Sequence, residues 1–164
     1  MACSTLRPTM WEPFQRYRAL DSDARKIFRR AAVLLPLIGV SLRLRGYRRT
    51  QEWLQARWER RKQALPQTAC SKDIVEKTCR MVRAAVHYGM PGASCLEASL
   101  TLWYLLRLQG ISASVRIGVR KHMSLFEAHA WVEHEGTALN QLEEVHRHFA
   151  PFDNQFHVPP KEQP

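Results

Sequence analysis

Cys95, His129 and Asn140 are the residues whose types and spacing could carry out covalent chemistry. Cys95 follows the small residues Gly92-Ala93-Ser94 and leads into an apolar segment from Leu96 to Leu108. This pattern predicts a cysteine at the N-terminus of a buried helix. A helix N-terminus stabilises the thiolate through which a cysteine attacks, and its first N–H groups can hold a developing oxyanion. We therefore interpret Cys95 as a nucleophile.

The base that would activate Cys95 comes from one of seven histidines. They are His87, His122, His129, His134, His146, His148 and His157. His129 lies in the middle of a predicted strand between two alanines, where an imidazole is held rigidly and can reach a helix end. His134 lies at the tip of a predicted hairpin, and His146 and His148 lie in a polar segment, where solvated side chains are expected. His129 is the predicted base.

Strand parity selects Asn140 as the third member of the site. If Glu135-Gly136 is a two-residue turn, Trp131 pairs with Asn140 across the hairpin. Trp131 shares a face with His129, so Asn140 would lie one diagonal step from the imidazole. An amide at this place could hold the imidazole tautomer, as the third residue of a Cys-His-Asn set does.

Two other residues are candidates for the third position. A bulge at Gly136 would turn Gln141 towards the catalytic face instead. Asp153 would take the position if the chain folds back towards the hairpin. The choice among Asn140, Gln141 and Asp153 is open at the level of the sequence.

The elements that would position these residues follow from the hydrophobic pattern. Apolar residues from Ile74 to Val86 recur at helical spacing and predict a helix with one buried face, ended by Gly89. Gly110 ends the helix that begins at Cys95. Alternation then predicts three strands, Ala113–Arg120, Ala128–His134 and Thr137–Gln141.

Two further helices are predicted in the N-terminal part. Ser22 would cap the first helix, which begins at Asp23 and kinks or ends near Pro36. Gly46 would break the chain, and Thr50 would cap the second helix. The pattern favours amphipathic helices that pack on the domain over a nucleic-acid arm, because no reading motif is visible.

The net charge of +10 is confined to this first part of the chain. Residues 1–65 hold 15 Lys and Arg against 5 Asp and Glu, whereas residues 66–164 hold 10 against 10. Such asymmetry indicates an acidic partner, an anionic membrane surface or nucleic acid. Because no reading motif is visible, we predict no nucleic-acid partner. The longest apolar run, Ala31 to Leu42, is too short to span a bilayer.

The cysteines indicate a reducing compartment. Cys3, Cys70, Cys79 and Cys95 show neither a C-x-x-C pair nor the spacing of a disulfide scaffold, so we expect reduced thiols in the cytoplasm. Ligand pairs at zinc-finger spacing are missing as well, and we expect no metal ion and no other cofactor. Cys79 falls beside an apolar helix face and is expected to pack as a small hydrophobic residue.

The segments around the candidate residues resemble a known family, the leader peptidases of lasso-peptide biosynthesis. Four short segments resemble the cysteine-helix motif of that family: Cys95-Leu96, Ser99-Leu100, Leu105-Leu106-Arg107 and Gly110-Ile111. Two further segments resemble the two strands that follow this motif in the family: Arg116-Ile117-Gly118-Val119-Arg120 and Ala128-His129-Ala130-Trp131-Val132-Glu133. The resemblance covers residues 71–153, and the basic helical first part resembles the stand-alone form of the protease.

The resemblance implies an α+β fold. A helical N-terminal part is followed by a transglutaminase-like or papain-like cysteine-protease core, in which a central helix packs on a small antiparallel sheet. We divide the chain accordingly into a basic helical region at 1–66, a protease domain at 67–158 and a tail at 159–164.

The resemblance also implies a function. Such proteins are cysteine endopeptidases that remove the leader from the ribosomally made precursor of a lasso-peptide antibiotic. An asparagine-synthetase-like cyclase then closes the freed core amine into a macrolactam, and stand-alone members work with a separate leader-binding protein. Cys95 would be the nucleophile and His129 the general base and then acid, while Asn140 would replace the aspartate that the family usually has.

Two alternative functions are compatible with the same residues. The first is another transglutaminase-like amidase or acyltransferase, which would pass its acyl group to an amine. The second is a non-catalytic scaffold that binds the precursor and the cyclase. Nothing in residues 1–65 resembles a β-rich leader-recognition domain, so a partner would present the leader and the basic first part would be its docking surface.

Overall fold

The computed structural model describes residues 17–62, 72–122, 125–140 and 149–151. Its three long helices are α1 (Ser22–Lys62), α2 (Lys72–Gly89) and α3 (Cys95–Arg107). Its strands are β1 (Ser114–His122), β2 (Leu125–His134), β3 (Thr137–Ala138) and β4 (Ala150–Pro151). The strands form one sheet in the order β3-β2-β1-β4, in which the paired strands are antiparallel. The predicted combination of helices with a small antiparallel sheet is therefore present.

The helix α1 begins one residue before its predicted start. Asp21, not Ser22, caps it, because the Asp21 Oδ1 atom accepts the N–H of Ala24 at 2.6 Å. This hydrogen bond, followed by the one from Lys77 at 2.9 Å, lowers the pKa of the Asp21 carboxyl. A kink or an end was predicted near Pro36. The helix continues through that residue, so it does not end there.

A single residue divides α1 into two arms. Gly46 has φ 75° and ψ 176°, which is the predicted break. The predicted cap at Thr50 is wrong, because Thr50 lies inside the second arm and its hydroxyl donates to the carbonyl of Gly46 at 2.8 Å. The same hydroxyl is 2.9 Å from the Ser41 hydroxyl of the first arm. Residues 22–45 are called arm one below, and residues 47–62 arm two.

Both arms of α1 pack on the other helices. Leu35 and Ile38 of arm one and Leu54 of arm two are fully buried in the same core as Leu100 and Leu106 of α3. On α2 the predicted apolar face is confirmed, since its buried residues are Val75, Thr78, Met81, Val82 and Ala85. At the end of α3, the indole N–H of Trp58 donates to the carbonyl of Arg107 at 3.1 Å and holds arm two in place.

The hairpin between β2 and β3 has the predicted two-residue turn. His134 pairs with Thr137, and both turn residues have positive φ, 49° at Glu135 and 76° at Gly136. These angles are those of a type I′ turn, whose twist suits a hairpin. No bulge intervenes, so the predicted register is confirmed as far as Ala138.

The strand β3 is shorter than the predicted Thr137–Gln141. The Leu139 N–H still donates to the carbonyl of Val132 at 2.9 Å. The N–H of Val132, however, donates to the side-chain Oδ1 of Asn140 at 2.7 Å. A side chain therefore takes the bond that a continuing strand would have made, and regular pairing ends at Ala138. Gln141 lies outside the described residues.

The sheet is covered on both faces. Val132 of β2 belongs to the helical core, and Val115, its partner in β1, packs against that core. On the opposite face Trp131 forms a second cluster with Ala138 and Phe149. Gly118 of β1 is buried beneath this cluster.

The helical first part is not separate from the protein core, although the division at residue 66 stays a prediction. The arms of α1 and the helices α2 and α3 contribute to one continuous hydrophobic cluster. Among the described helices none is long and apolar enough to cross a membrane, in line with the expectation for Ala31 to Leu42.

Candidate active site

Cys95 is the first residue of α3, as the sequence predicts. The preceding residue, Ser94, is the cap, and its hydroxyl accepts the N–H of Glu97 at 3.2 Å. In return the Glu97 carboxylate accepts the N–H of Ser94 at 2.7 Å, which completes a capping box. The box uses the N–H groups of Ser94 and Glu97. The N–H of Cys95 is not one of them, and it can serve an oxyanion.

The start of α3 is supported from behind by α1. Glu97 is only 6% exposed, and its carboxylate lies against Gly39 of arm one. A Cβ atom at Gly39 would lie 2.8 Å from the Glu97 Oε1 atom, so a larger residue would press on the capping box. The absence of a side chain at Gly39 therefore lets α1 approach the helix end that carries the candidate nucleophile.

Ser99 connects α3 to β2, the strand that contains His129. Its hydroxyl is buried and donates to the carbonyl of Ala130 at 3.0 Å. Ala130 is the residue after His129. Because residues four apart lie on one face of a helix, Cys95 shares the face of α3 that Ser99 directs to β2. The structure thus brings the strand of the predicted base against the helix of the predicted nucleophile. The His129 ring itself lies with Trp131 and Phe149, on the face of the sheet opposite Val132 and the helical core.

His129 lies in the middle of β2, paired with Gly118 of β1. Its ring centroid is 5.3 Å from that of Phe149 and 6.3 Å from that of Trp131, with the indole nearly parallel to the imidazole. The guanidinium of Arg120 lies over the ring of Phe149, 4.8 Å from its centroid. Aromatic packing of this kind limits the rotation of the imidazole, which suits a base that must act in one orientation.

Asn140 contacts α3 as well as β2. Its Oδ1 atom accepts the N–H of Val132 at 2.7 Å, and its Nδ2 atom donates to the Ser99 hydroxyl at 2.9 Å. Both ends of the amide are thus engaged beside the Ser99–Ala130 bond. The regular pairing from which parity placed Asn140 near His129 ends before this residue, and its role as the third catalytic member stays a prediction.

The two other candidates for the third position, Gln141 and Asp153, lie outside the described residues, as do His146, His148, His157, Cys3 and Cys70. Within the described part, Cys79 is half-buried, and burial raises the pKa of its thiol to about 11. A thiol with this pKa is protonated and unreactive at neutral pH, as the packing interpretation of Cys79 requires. Trp131 is buried, which agrees with a packing role.

Three residues of the site were not singled out from the sequence. Ser94-x-x-Glu97 is a capping-box signature directly before an apolar run, and it was the signal available for Glu97. Ser99 and Phe149 carried no comparable signal, because their roles depend on which strand and which ring the fold brings to them. Among the described residues, no group of three His, Cys, Asp or Glu side chains could hold a metal ion.

Gly118→Ala should destabilise the face of the sheet that carries His129. The added Cβ would lie 2.9 Å from the Cβ of Phe149 and from the Trp131 ring, neither of which can move without losing its packing. We expect the free energy of unfolding to fall by about 1–3 kcal/mol, measured by denaturant titration with tryptophan fluorescence. Gly89→Ala is the matched control, since a Cβ there meets nothing within 4 Å. An equal loss in both variants would contradict the packing assigned to Gly118.

One comparison with known proteins found a match. A family model described as the transglutaminase-like superfamily matches residues 21–153, which includes α1 and all the candidate catalytic residues. No curated protein and no solved structure matches the chain. The superfamily generally contains cysteine-based hydrolases and transferases, which supports a function of the cysteine-protease or acyltransferase type. By the extent of this match, the chain belongs to the transglutaminase-like superfamily.

Proposed function

We propose that this protein is a cysteine endopeptidase that removes the leader from a ribosomally made lasso-peptide precursor. One observation carries the catalytic part of the proposal. Cys95 opens a capped, buried helix whose next turn is hydrogen-bonded through Ser99 to the residue after His129. The resemblance of the segments around Cys95 and His129 to lasso-peptide leader peptidases supports the choice of substrate, and the superfamily match supports the cysteine chemistry.

The reaction uses the chain's own residues in two steps. In the first, His129 takes the proton of the Cys95 thiol, and the sulfur attacks the carbonyl carbon of the scissile peptide bond. The N–H of Cys95 stabilises the oxyanion, and the C–N bond breaks as the imidazolium gives its proton to the leaving amine. In the second step His129 activates a water molecule, which hydrolyses the thioester and releases the leader carboxylate.

The proposed partners follow from the same resemblance. A separate leader-binding protein presents the precursor, and an asparagine-synthetase-like cyclase closes the released core amine into a macrolactam. The two reactions belong in one compartment, the cytoplasm, because the free core amine is the substrate of the next step. A precursor, the leader-binding protein and this chain therefore form the minimal reaction mixture.

Product analysis in ¹⁸O-labelled water tests the proposal. Peptide-bond hydrolysis should place one ¹⁸O atom in the new carboxylate of the leader and leave the core with a free amine, both measurable by mass spectrometry. The same mixture with an added primary amine should still give the carboxylate. If the main product is an amide of the added amine, the protein is an acyltransferase and not a peptidase. The superfamily also contains transferases. An uncleaved precursor in the complete mixture would favour a scaffold and contradict the proposal.

We place Asn140 in the site as a positioning residue that holds β2 against α3. Asn140→Ala leaves the N–H of Val132 without its acceptor and should lower the free energy of unfolding by about 1–3 kcal/mol. Ser99→Ala is the comparison variant. It removes the contact between Asn140 and α3 together with the bond from Ser99 to Ala130, and it leaves the Val132 bond intact. We expect the two variants to lower the turnover number by similar factors.

A different result would assign Asn140 a more direct role. If Asn140→Ala lowers turnover far more than Ser99→Ala, and shifts the pH–rate profile, the amide acts on His129 itself as in a Cys-His-Asn set. Wild-type turnover in Asn140→Ala would remove this residue from the site. Gln141→Ala and Asp153→Ala, measured on the same precursor, then decide between the remaining candidates.

A further inference from the structure

A cavity of about 700 Å³ lies between the two arms of α1, away from Cys95 and His129. Its floor is apolar and includes Leu34 of arm one, Trp53 of arm two and Leu108, which follows α3. This volume is in the range of sites that bind a small molecule or a few side chains of a peptide. The cavity exists because Gly46 breaks α1 and arm two returns beside arm one.

The rim of the cavity is positively charged on both sides. Lys26, Arg29 and Arg30 line it from arm one, and Arg57 and Arg61 line it from arm two. No acidic side chain is among the described residues that line it. Cations facing one another across an apolar floor repel each other, and an occupant with negative charge would relieve that repulsion.

A tyrosine with a buried hydroxyl lines the same cavity. Tyr104 of α3 is 2% exposed and lines the cavity, and its hydroxyl has no hydrogen-bond partner in the described part of the chain. Buried hydroxyl groups in folded proteins are almost always hydrogen-bonded. An occupant with an oxygen acceptor would supply the partner that this hydroxyl lacks.

An exposed apolar stripe continues the cavity along arm one. Val33, Leu37 and Val40 are 60%, 51% and 52% exposed, and the first two also line the cavity. Their spacing of four and three residues places them on one face of the helix. A groove with an apolar stripe, an apolar floor and a basic rim is the shape that receives an amphipathic polypeptide segment.

We propose that the groove between the arms of α1 is a docking site for an acidic, amphipathic segment of a partner polypeptide. Its apolar side chains cover Val33 and Leu37 and enter the cavity, its carboxylates pair with the arginines of both arms, and one of its oxygen atoms accepts from Tyr104. A bilayer is not the occupant, since a flat surface cannot reach a hydroxyl buried between helices. The proposal does not depend on catalysis by Cys95.

Binding of a defined probe to the full-length protein tests this site. The probe is a fluorescein-labelled helical peptide of about 15 residues, with Glu on one face and Leu and Phe on the other. Its dissociation constant is measured by fluorescence anisotropy. Replacing its Glu residues by Gln should weaken binding by about tenfold or more, and added salt should weaken the acidic probe but not the neutral one.

Three variants locate the probe. The double variant Arg30→Glu/Arg57→Glu, which changes both walls, should raise the dissociation constant by about tenfold or more. Arg49→Glu is the control, because Arg49 is an exposed arginine of α1 that does not line the cavity, and it should change the constant by less than about twofold. Tyr104→Phe removes only the hydroxyl and should raise the constant by about threefold to tenfold with an unchanged or higher melting temperature.

Three results would overturn the proposal. Equal weakening by the double variant and by Arg49→Glu would mean unspecific attraction to a basic surface. An unchanged dissociation constant in Tyr104→Phe would contradict the hydrogen bond to Tyr104, and with it the proposal that the segment enters the cavity. Failure to bind the acidic peptide, with binding of phosphatidylglycerol vesicles by the same protein, would show that the basic face serves a membrane instead.

Discussion

Cys95→Ala should abolish cleavage of the precursor, with a loss of about four orders of magnitude or more in turnover. The thiol is the only group that the proposed mechanism uses to form a covalent intermediate, and a methyl group cannot replace it. The fold should survive, because Cys95 is only half-buried and alanine is well accepted at the first position of a helix. The checks are mass-spectrometric product detection and a melting temperature close to that of the wild type.

Cys79→Ala is the control for this experiment. The raised pKa of the Cys79 thiol, about 11 because of burial, keeps it protonated at neutral pH. Alkylation by iodoacetamide should therefore modify Cys95 well before Cys79, and Cys79→Ala should cleave at the wild-type rate. Cleavage by Cys95→Ala at a rate near that of the wild type would exclude the mechanism.

His129→Ala should lower the turnover number by about two orders of magnitude or more. The imidazole is asked to do two things, to remove the thiol proton and to protonate the leaving amine, and both are lost together. Alkylation of Cys95 should slow in the same variant, because the thiol loses the base that removes its proton. Removal of the ring also leaves space beside Phe149, so the melting temperature has to be measured with the rate.

His134→Ala is the matched control for the histidine. His134 is in the same strand, but its ring is at the end of the hairpin, where Nδ1–H donates to the carbonyl of Ser112 at 2.6 Å. Its replacement should affect stability, by about 0.5–1.5 kcal/mol, and should leave the turnover number within about twofold. Equal losses of turnover in the two variants would mean that the base has been chosen wrongly.

The elements around the site were predictable because local signals and tertiary packing agree there. The apolar run after Cys95 and the glycine at 110 define α3, and Glu135-Gly136 defines a tight turn whatever packs around it. A two-residue turn fixes the register of its strands, so the pairing of His134 with Thr137 follows from geometry alone. In these segments the sequence leaves few alternatives.

The predictions that were wrong concern residues whose local preference gave way to their surroundings. Thr50 is a good cap by type, but it lies within arm two, and its buried hydroxyl bonds to Gly46 and Ser41 instead. Pro36 lies inside a helix whose residues Leu35 and Ile38 are buried in the core. This packing outweighs the backbone hydrogen bond that proline cannot donate. Whether such a local preference prevails depends on the residues that pack against the segment in the core, and these are known only from the fold.

The contact of Asn140 with Ser99 could not be deduced for a similar reason. Parity applies to a side chain only while its strand remains in the ladder, and here the side chain itself replaces a ladder bond. The groove between the arms of α1 could not be predicted from the hydrophobic pattern either. It is formed by two separate segments of the chain and by Tyr104 of a third. Sites composed of separate segments need the fold before they can be seen.

The break at Gly46 determines the dimensions of the molecule. At 1.5 Å per residue, the 41 residues of α1 would extend about 62 Å as one straight rod, well beyond the reach of the other helices. With the break, neither half is longer than about 36 Å, and the second half becomes a layer of the domain. Because a Cβ at Gly46 would meet no atom within 4 Å, only the positive φ reserves the position for glycine. A single backbone angle thus decides whether this segment projects from the domain as one long helix or packs on it as two shorter ones.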